Sequence, residues 1–252
     1  MSLIRACFSL LLATAALPVS GQDYKREKRW SDEIVPGIVV GDAVWIARPQ
    51  EREPKDRKVL GLFTQITKAS VAVLLVHGAG VHPDHGVIGA LRVSLADAGY
   101  STLSVQMPVL NADAAPKEYQ AVFPDAIARI RSVAGWLREK GYRIVLVSHS
   151  MGSSMSNAYY EQTIDASFAA WVCMGLGDRF GTMRDVKVPV LDVYGEKDLP
   201  SVLRDDWRRR LTVDSIPGSR QVMIRQADHF YSGREKELAT VIDEFIRNKV
   251  LP

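Results

Sequence analysis

The sequence predicts an α/β fold in which helices flank an eight-stranded, mostly parallel sheet. One observation is the continuous apolar segment Val71–Val76, which has the length and composition of a strand buried on both faces. Another is the regular alternation of such segments with helical patterns from there to the C-terminus. The sequence also contains no internal repeat, low-complexity tract or long linker. Residues 35–252 are therefore expected to form a single domain.

Ahead of Val71–Val76, two segments rich in β-branched and aliphatic residues cover about 35–47 and 58–67. A charged stretch containing proline separates them, and this pattern predicts a hairpin or meander. Residues 22–34 are dense in both charges. They are expected to form a solvated lead-in, with Trp30 as the candidate for docking on the body of the protein.

After Val71–Val76 the pattern predicts helices and strands in turn. A helix is expected at about 84–98, where Gly99 supplies a typical C-terminal stop. The further helices are expected at about 124–139, 151–163, 200–211 and 234–247, and the further strands at 102–106, 143–147, 168–174, 188–194 and 221–225.

The composition excludes several classes of protein. Of 252 residues, 47% are hydrophobic and 24% are charged, and the formal net charge is +3. This balance argues against a disordered chain, a disulfide scaffold or a collagen-like chain. Arginine and lysine are scattered among nearly as many acidic residues, so no extended positive surface for nucleic acid is predicted. The sequence gives no indication of the oligomeric state.

Residues 1–21 have the layout of a secretory signal peptide. Arg5 precedes an uncharged, mostly apolar run at 6–18, and the small residues Val19 and Gly21 stand three and one places before Gln22. The alternative is a buried N-terminal helix. Because no apolar run of about 18 residues recurs, no membrane anchor is expected once this segment is removed. The predicted location is periplasmic or secreted.

Polar motifs follow four of the predicted strands. They are HGAG at 77–80, SHSMG at 148–152, GEKD at 195–198 and ADHF at 227–230. In parallel sheets that are covered on both faces, ligand sites lie at the carboxyl ends of the strands. We therefore expect these motifs to meet at one edge of the sheet.

The SHSMG motif is a variant of the nucleophile elbow G-x-S-x-G, with Ser148 in place of the first glycine. The elbow needs small residues because the chain turns sharply from strand to helix and exposes the central hydroxyl. Ser150 would then lie at a helix N-terminus, where free amides favour a developing anion. The alternative role for Ser150 is that of a helix N-cap.

A serine hydroxyl needs a base that is held in place by a carboxylate. His229 and Asp198 supply both groups, in the chain order Ser, Asp, His that is typical of strand-to-helix nucleophile elbows. The amides of Ala79 and Met151 are the predicted oxyanion hole.

Other polar residues near these motifs are candidates for supporting roles in the site. Asp178 is the second candidate for the acid, because it follows another predicted strand. His82, His85 and His149 are predicted to line the substrate pocket, and Asp84 to cap the following helix.

A metal site is the rival to a serine nucleophile. Residues 81–85, VHPDH, resemble the end of the H-x-H-x-D-H motif of metallo-β-lactamase-like hydrolases. The first histidine of that motif would fall at Gly80, and few histidines remain downstream. We therefore expect no metal, and no cofactor, because the sequence contains neither a dinucleotide fingerprint nor a phosphate-binding loop.

Residues 35–250 resemble an α/β-hydrolase through these four motifs, and residues 82–110 further resemble a poorly characterised group of secreted bacterial α/β-hydrolase-like proteins. The resemblance implies the fold and a triad of Ser150, Asp198 and His229. The short interval 175–187 leaves no room for a cap domain, so an open site is expected. The sequence thus favours an exported serine hydrolase, most simply a carboxylesterase acting on small or polymeric esters. The alternative is a catalytically silent protein of this fold that serves as an envelope binding or assembly factor.

Overall fold

The structure is a computed structural model that describes residues 21–47, 57–162, 167–181, 186 and 188–251. The predicted signal peptide lies, except for Gly21, outside the described residues. Within the described ranges, no helix has the length and apolar character needed to cross a bilayer.

The strands form one sheet in the order β1-β2-β4-β3-β5-β6-β7-β8. β2 runs antiparallel to both β1 and β4, and all other neighbours are parallel. The predicted eight-stranded, mostly parallel sheet is confirmed. The strands are β1 Asp42–Ala47, β2 Lys58–Thr64, β3 Val71–Val76, β4 Ser101–Val105, β5 Arg143–His149, β6 Ala170–Met174, β7 Val190–Lys197 and β8 Arg220–Asp228.

Helices cover both faces of the sheet. They are α1 Tyr24–Ile34, α2 Gly86–Asp97, α3 Phe123–Glu139, α4 Met151–Gln162, α5 Pro200–Arg204, α6 Asp206–Asp214 and α7 Glu235–Lys249, with short 3₁₀ helices at Val35–Gly37 and Pro116–Val122. The apolar sides of α2 and α7 belong to one core, and those of α3, α4 and α6 belong to the other.

The continuously apolar sequence of strand β3 is explained by its burial on both faces of the sheet. Val71, Val73 and Leu75 point into the core beneath α2 and α7. Ala72, Leu74 and Val76 point into the core beneath α3 and α4. Alternate side chains of a strand face opposite sides of a sheet, so a central strand between two helical layers has no solvent face.

The register of the parallel strands aligns the motif-bearing ends. Val76 of β3 lies opposite Ser148 of β5, and His149 lies opposite Met174 of β6. The loops that follow β3 and β5 therefore leave the sheet side by side, with the loop after β6 next to them.

The N-terminal segment differs from the expected solvated lead-in, because it forms the helix α1. The Asp23 side chain caps this helix by accepting a hydrogen bond from the Arg26 amide at 2.9 Å. An i,i+4 pair between Lys28 and Asp32 supports its exposed side. The helix was missed because it has few apolar residues, and only Ser31 in it is fully buried.

Asp192 lies fully buried in β7. It accepts hydrogen bonds from Arg209 Nε at 2.9 Å and from Gln221 Nε2 at 2.8 Å. Burial raises the pKa of Asp192, and the Arg209 guanidinium and the Gln221 amide offset only part of that effect. The ion pair between Arg209 and Asp192 attaches α6 to strand β7.

Candidate active site

The chain passes from β5 into α4 through a single residue, Ser150, whose φ is +56°. This left-handed conformation costs a residue with a side chain about 1–3 kcal/mol. The Ser150 amide donates to the Met174 carbonyl at 2.9 Å, which holds the turn against β6. A Cβ on Gly152 would lie 2.5 Å from the His77 carbonyl oxygen, so the retained glycine of the motif is required by space.

Ser148, which replaces the usual first glycine, is buried and has a specific partner. Its Oγ accepts a hydrogen bond from Trp171 Nε1 at 2.9 Å. Trp171 is completely buried on the neighbouring strand β6, so its indole N–H needs an acceptor inside the protein. The departure from the glycine pattern is thus compatible with a formed elbow.

The structure brings Ser150, His229 and Asp198 together. His229 Nε2 lies 2.8 Å from Ser150 Oγ, and His229 Nδ1 lies 2.6 Å from Asp198 Oδ1. The amides of Gly195 and Leu199 also donate to the Asp198 carboxylate, at 3.1 and 2.8 Å. Burial alone raises the pKa of Asp198, but the hydrogen bonds from His229 and the two amides outweigh it and hold that pKa below its usual value.

Asp178, the second candidate for the acid, has a different role. It lies on the wall of the cleft beside Ser150 and accepts a hydrogen bond from the Arg179 amide at 2.7 Å. The contact with His229 Nδ1 is made by Asp198.

The predicted oxyanion donors, Ala79 and Met151, both line this cleft next to Ser150. The loop after β3 packs tightly on the turn, because a Cβ on Gly78 would lie 3.2 Å from Ser150 Cβ. His77 holds the loop: its Nδ1 lies 2.8 Å from the Gly78 carbonyl, and its Nε2 accepts from the Met107 amide at 2.8 Å. Burial lowers the pKa of His77 to about 3, so the ring is neutral and carries its proton on Nδ1.

His149 does not line the cleft as predicted, because its ring is buried against the ring of His229. Its Nε2 lies 2.8 Å from the His229 carbonyl oxygen, and the two rings are 4.9 Å apart. Burial, followed by the nearby His229, lowers the pKa of His149 to about 4. A neutral His149 therefore donates to the backbone of His229 and positions it.

His82 and His85 are also absent from the described lining of the cleft, which corrects the second part of that prediction. The His82 ring packs edge-on against Trp30 of α1 at 5.7 Å and against His85 at 5.5 Å. The predicted cap is wrong as well, because Asp84 pairs with the buried Arg92 at 2.6 Å and His85 occupies the N-cap of α2.

The cleft has a volume of about 970 Å³. One side of α4 lines the cleft, together with residues from the segments 116–124 and 175–181. Sequence reasoning missed the lining residues of α4, although they recur at helical spacing after Ser150, namely Ser154, Asn157, Ala158 and Glu161. Across the described parts of the chain, no group of three or more His, Cys, Asp or Glu side chains is arranged to hold a metal ion.

Solved structures similar to this chain include several hydrolases. Est1E from Butyrivibrio proteoclasticus is 14% identical, with a TM-score of 0.64 over 83% of this chain and 99% of its own. Dienelactone hydrolase from Anabaena variabilis is 18% identical, with a TM-score of 0.64 over 82% and 96%. An α/β serine hydrolase without lid from Xanthomonas campestris is 14% identical, with a TM-score of 0.59 over 84% and 95%. At these identities the likeness is one of fold.

Comparison by sequence identifies only a family of unknown function, over part of the chain. The profile of a family described as "Protein of unknown function (DUF3530)" matches residues 53–132. No curated protein matches the chain.

The hydrogen bond between Ser148 and Trp171 predicts that the glycine of the usual motif would destabilise this protein. Changing Ser148→Gly creates the standard elbow sequence but removes the acceptor of the Trp171 N–H. A buried donor without an acceptor costs about 1–3 kcal/mol, so we expect the free energy of unfolding to fall by that amount in a urea titration. Ser148→Thr, which keeps a hydroxyl, is the matched control for the acceptor. Equal stability of Ser148→Gly and the parent protein would contradict the role given to this hydroxyl.

The buried histidines predict how stability depends on pH. His149 and His77 have pKa values of about 4 and about 3 in the folded protein, below the ordinary value of 6.5. As pH falls below 6.5 the unfolded chain binds protons that the folded chain does not, so the free energy of unfolding decreases toward pH 4 and below. Each histidine contributes a slope of about 1.4 kcal/mol per pH unit in its window. The lowered pKa of Asp198 acts only at more acidic pH.

Denaturant titrations between pH 4 and pH 8 test this expectation. His149→Gln removes one titrating group while keeping an amide donor for the His229 carbonyl, so its slope between pH 4 and 6.5 should be shallower. His85→Gln is the control, because His85 is exposed. A slope for His149→Gln as steep as that of the His85→Gln protein would rule out His149 as a source of the pH dependence.

Proposed function

We propose that this chain, which has the α/β-hydrolase fold, is a serine hydrolase, most simply a carboxylesterase. The observation that carries the proposal is the continuous contact from Asp198 through His229 to a strained Ser150, at 2.6 and 2.8 Å. A serine that served only as a helix N-cap would need neither the left-handed turn nor the histidine.

In the proposed reaction, His229 Nε2 accepts the Ser150 proton as Oγ attacks the carbonyl carbon of the ester. The amides of Ala79 and Met151 would donate to the negative oxygen that forms there. Asp198 would hold the imidazole and stabilise its protonated form. His229 then returns the proton to the leaving alcohol, and water hydrolyses the acyl-enzyme by the reverse sequence of transfers.

The residues that line the cleft support solvent-accessible esters as the class of substrate. It contains charged and amide side chains, among them Lys117, Asn157 and Arg179, beside the apolar Phe123 and Phe180. Such a lining suits soluble or polymeric esters with polar groups better than long acyl chains, which favour continuous apolar surface.

Labelling with a fluorophosphonate probe tests the nucleophile. We expect the purified protein to be labelled on Ser150 and to hydrolyse short-chain p-nitrophenyl esters. Ser150→Ala should lose labelling and at least about 10³-fold in kcat, because the attacking atom is gone. Ser215→Ala, on the exposed end of α6, should behave like the parent protein.

Two results would overturn the proposal. Labelling that persists in Ser150→Ala would place the reactive group elsewhere. A folded parent protein that neither labels nor hydrolyses any of a panel of esters would favour the silent alternative, a binding or assembly factor of the cell envelope.

We further propose that the protein is exported to the periplasm or beyond. The support is the pattern of residues 1–21, with its single arginine, apolar run and small residues before Gln22.

Expression of the full sequence in a bacterium with an outer membrane tests export. Osmotic shock should release a form whose N-terminal sequence begins at Gln22, about 2 kDa smaller than the precursor, since a residue averages roughly 110 Da. Replacing Leu10→Arg and Leu12→Arg within the apolar run should leave the unprocessed chain inside the cell. Recovery of the intact N-terminus from the released fraction would exclude this cleavage site.

A further inference from the structure

Arg26 of helix α1 contacts two loops of the candidate active site. Arg26 Nη2 donates to the Gly80 carbonyl at 3.1 Å, and Arg26 Nη1 donates to the Leu110 carbonyl at 2.8 Å. Gly80 directly follows Ala79 in what we call the oxyanion loop, residues 77–83. Leu110 lies in the loop that follows β4. One guanidinium group therefore joins the loops that leave two adjacent strands.

A second charged residue of α1, Glu27, is connected to the oxyanion loop through buried side chains. Glu27 pairs with the buried Arg129 of α3 at 3.1 Å. Arg129 Nη1 also donates to the Gln106 carbonyl at 2.7 Å. Gln106 Nε2 lies 3.2 Å from His77 Nε2. The ion pair is thus connected through Gln106 to the histidine that holds the first turn of the oxyanion loop.

Aromatic contacts extend the attachment over the rest of that loop. The Arg26 guanidinium lies over the Trp30 ring at 4.6 Å, and Trp30 packs against His82 at 5.7 Å. Gly80 has φ +70°, and a Cβ there would lie 3.8 Å from Arg26 Nη2. The polar side of α1 is therefore directed at residues 80–82, at the point where the loop turns.

The composition of α1 shows that apolar burial is a minor part of this docking. Only Ser31 of the helix is fully buried, and its hydroxyl bonds back to the Glu27 carbonyl at 3.0 Å. The contacts that attach α1 to the body are instead charged groups with backbone and side-chain partners beside the site. Preorganised donors lose most of their effect when they move by a fraction of an ångström.

We propose that Arg26 is a positioning residue that fixes the oxyanion loop, so that the Ala79 amide faces the hydroxyl of Ser150. The role in catalysis rests on the proposed serine hydrolase function, whereas the role in ordering the loop does not. Arg26 does not line the cleft, and it acts through the Gly80 carbonyl.

Three variants of α1 test the proposal. Arg26→Gln removes the guanidinium fork. Arg26→Lys keeps the charge but presents a single ammonium group, which cannot bind two carbonyls in the same fixed geometry. Arg29→Gln is the matched control, since it makes the same change on the same helix at an exposed position whose nearest partner is Glu33 at 3.9 Å.

The first readout is turnover of p-nitrophenyl acetate. Because a displaced oxyanion donor acts on the transition state, Arg26→Gln should lower kcat by about 10- to 100-fold while KM changes little. Arg26→Lys should lie between Arg26→Gln and the parent protein. Arg29→Gln should stay within about twofold of the parent protein.

The second readout is backbone hydrogen exchange, which needs no activity. In Arg26→Gln the peptide covering 77–83 should exchange faster, while the peptide covering 235–249 in α7 should be unchanged. If Arg26→Gln fails to fold, Arg26→Lys gives the same comparison. An inactive parent protein would reject the proposed function, and the exchange data would still decide the role of Arg26.

Two outcomes would overturn the inference. One is an Arg26→Gln protein that matches Arg29→Gln in both kcat and exchange. The other is faster exchange throughout the molecule with activity falling in proportion to the folded fraction, because that pattern describes general destabilisation.

Discussion

The left-handed turn at Ser150 is the constraint on which the rest of the site depends. A residue with a side chain holds this conformation only if its surroundings compensate for the strain. Here β6 accepts the Ser150 amide, and Gly78 and Gly152 leave the space that lets the loop after β3 and the first turn of α4 close around the turn. The central parallel strands supply that framework. The hydroxyl is thereby presented to the cleft.

Around this turn, three buried histidines have separate tasks. His229 faces the cleft, and His149 and His77 lie behind it as neutral rings bonded to backbone atoms. Burial lowers the pKa of His77 to about 3 and that of His149 to about 4, so both rings stay neutral and their hydrogen bonds keep one direction near neutral pH. Because each of these two rings keeps one tautomer, it can hold a backbone atom in place even though a histidine can change its charge elsewhere.

The sheet and the grouping of Ser150, Asp198 and His229 could be predicted from the sequence because both follow from local rules. Apolar runs mark buried strands, and a parallel sheet brings the carboxyl ends of its strands to one edge. The position of His82 and the role of Asp84 could not be predicted in this way. Both depend on contacts with α1 and Arg92, and no short-range pattern encodes them. The Ser148 contact was hidden for the same reason, since Trp171 lies on a strand that is paired with β5 but 23 residues away.

The attachment of α1 also has a consequence for the order in which parts of the protein fold. The two hydrogen bonds of Arg26 span 54 and 84 residues of chain, and the ion pair of Glu27 spans 102. Contacts this far apart in sequence pay a high loop-closure entropy and are late to form. We therefore expect α1 to dock after strands β3 and β4 and helix α3 have formed. A bulky fusion joined directly ahead of Asp23 would lie at the N-terminus of this helix, close to the contacts that attach it to the candidate active site.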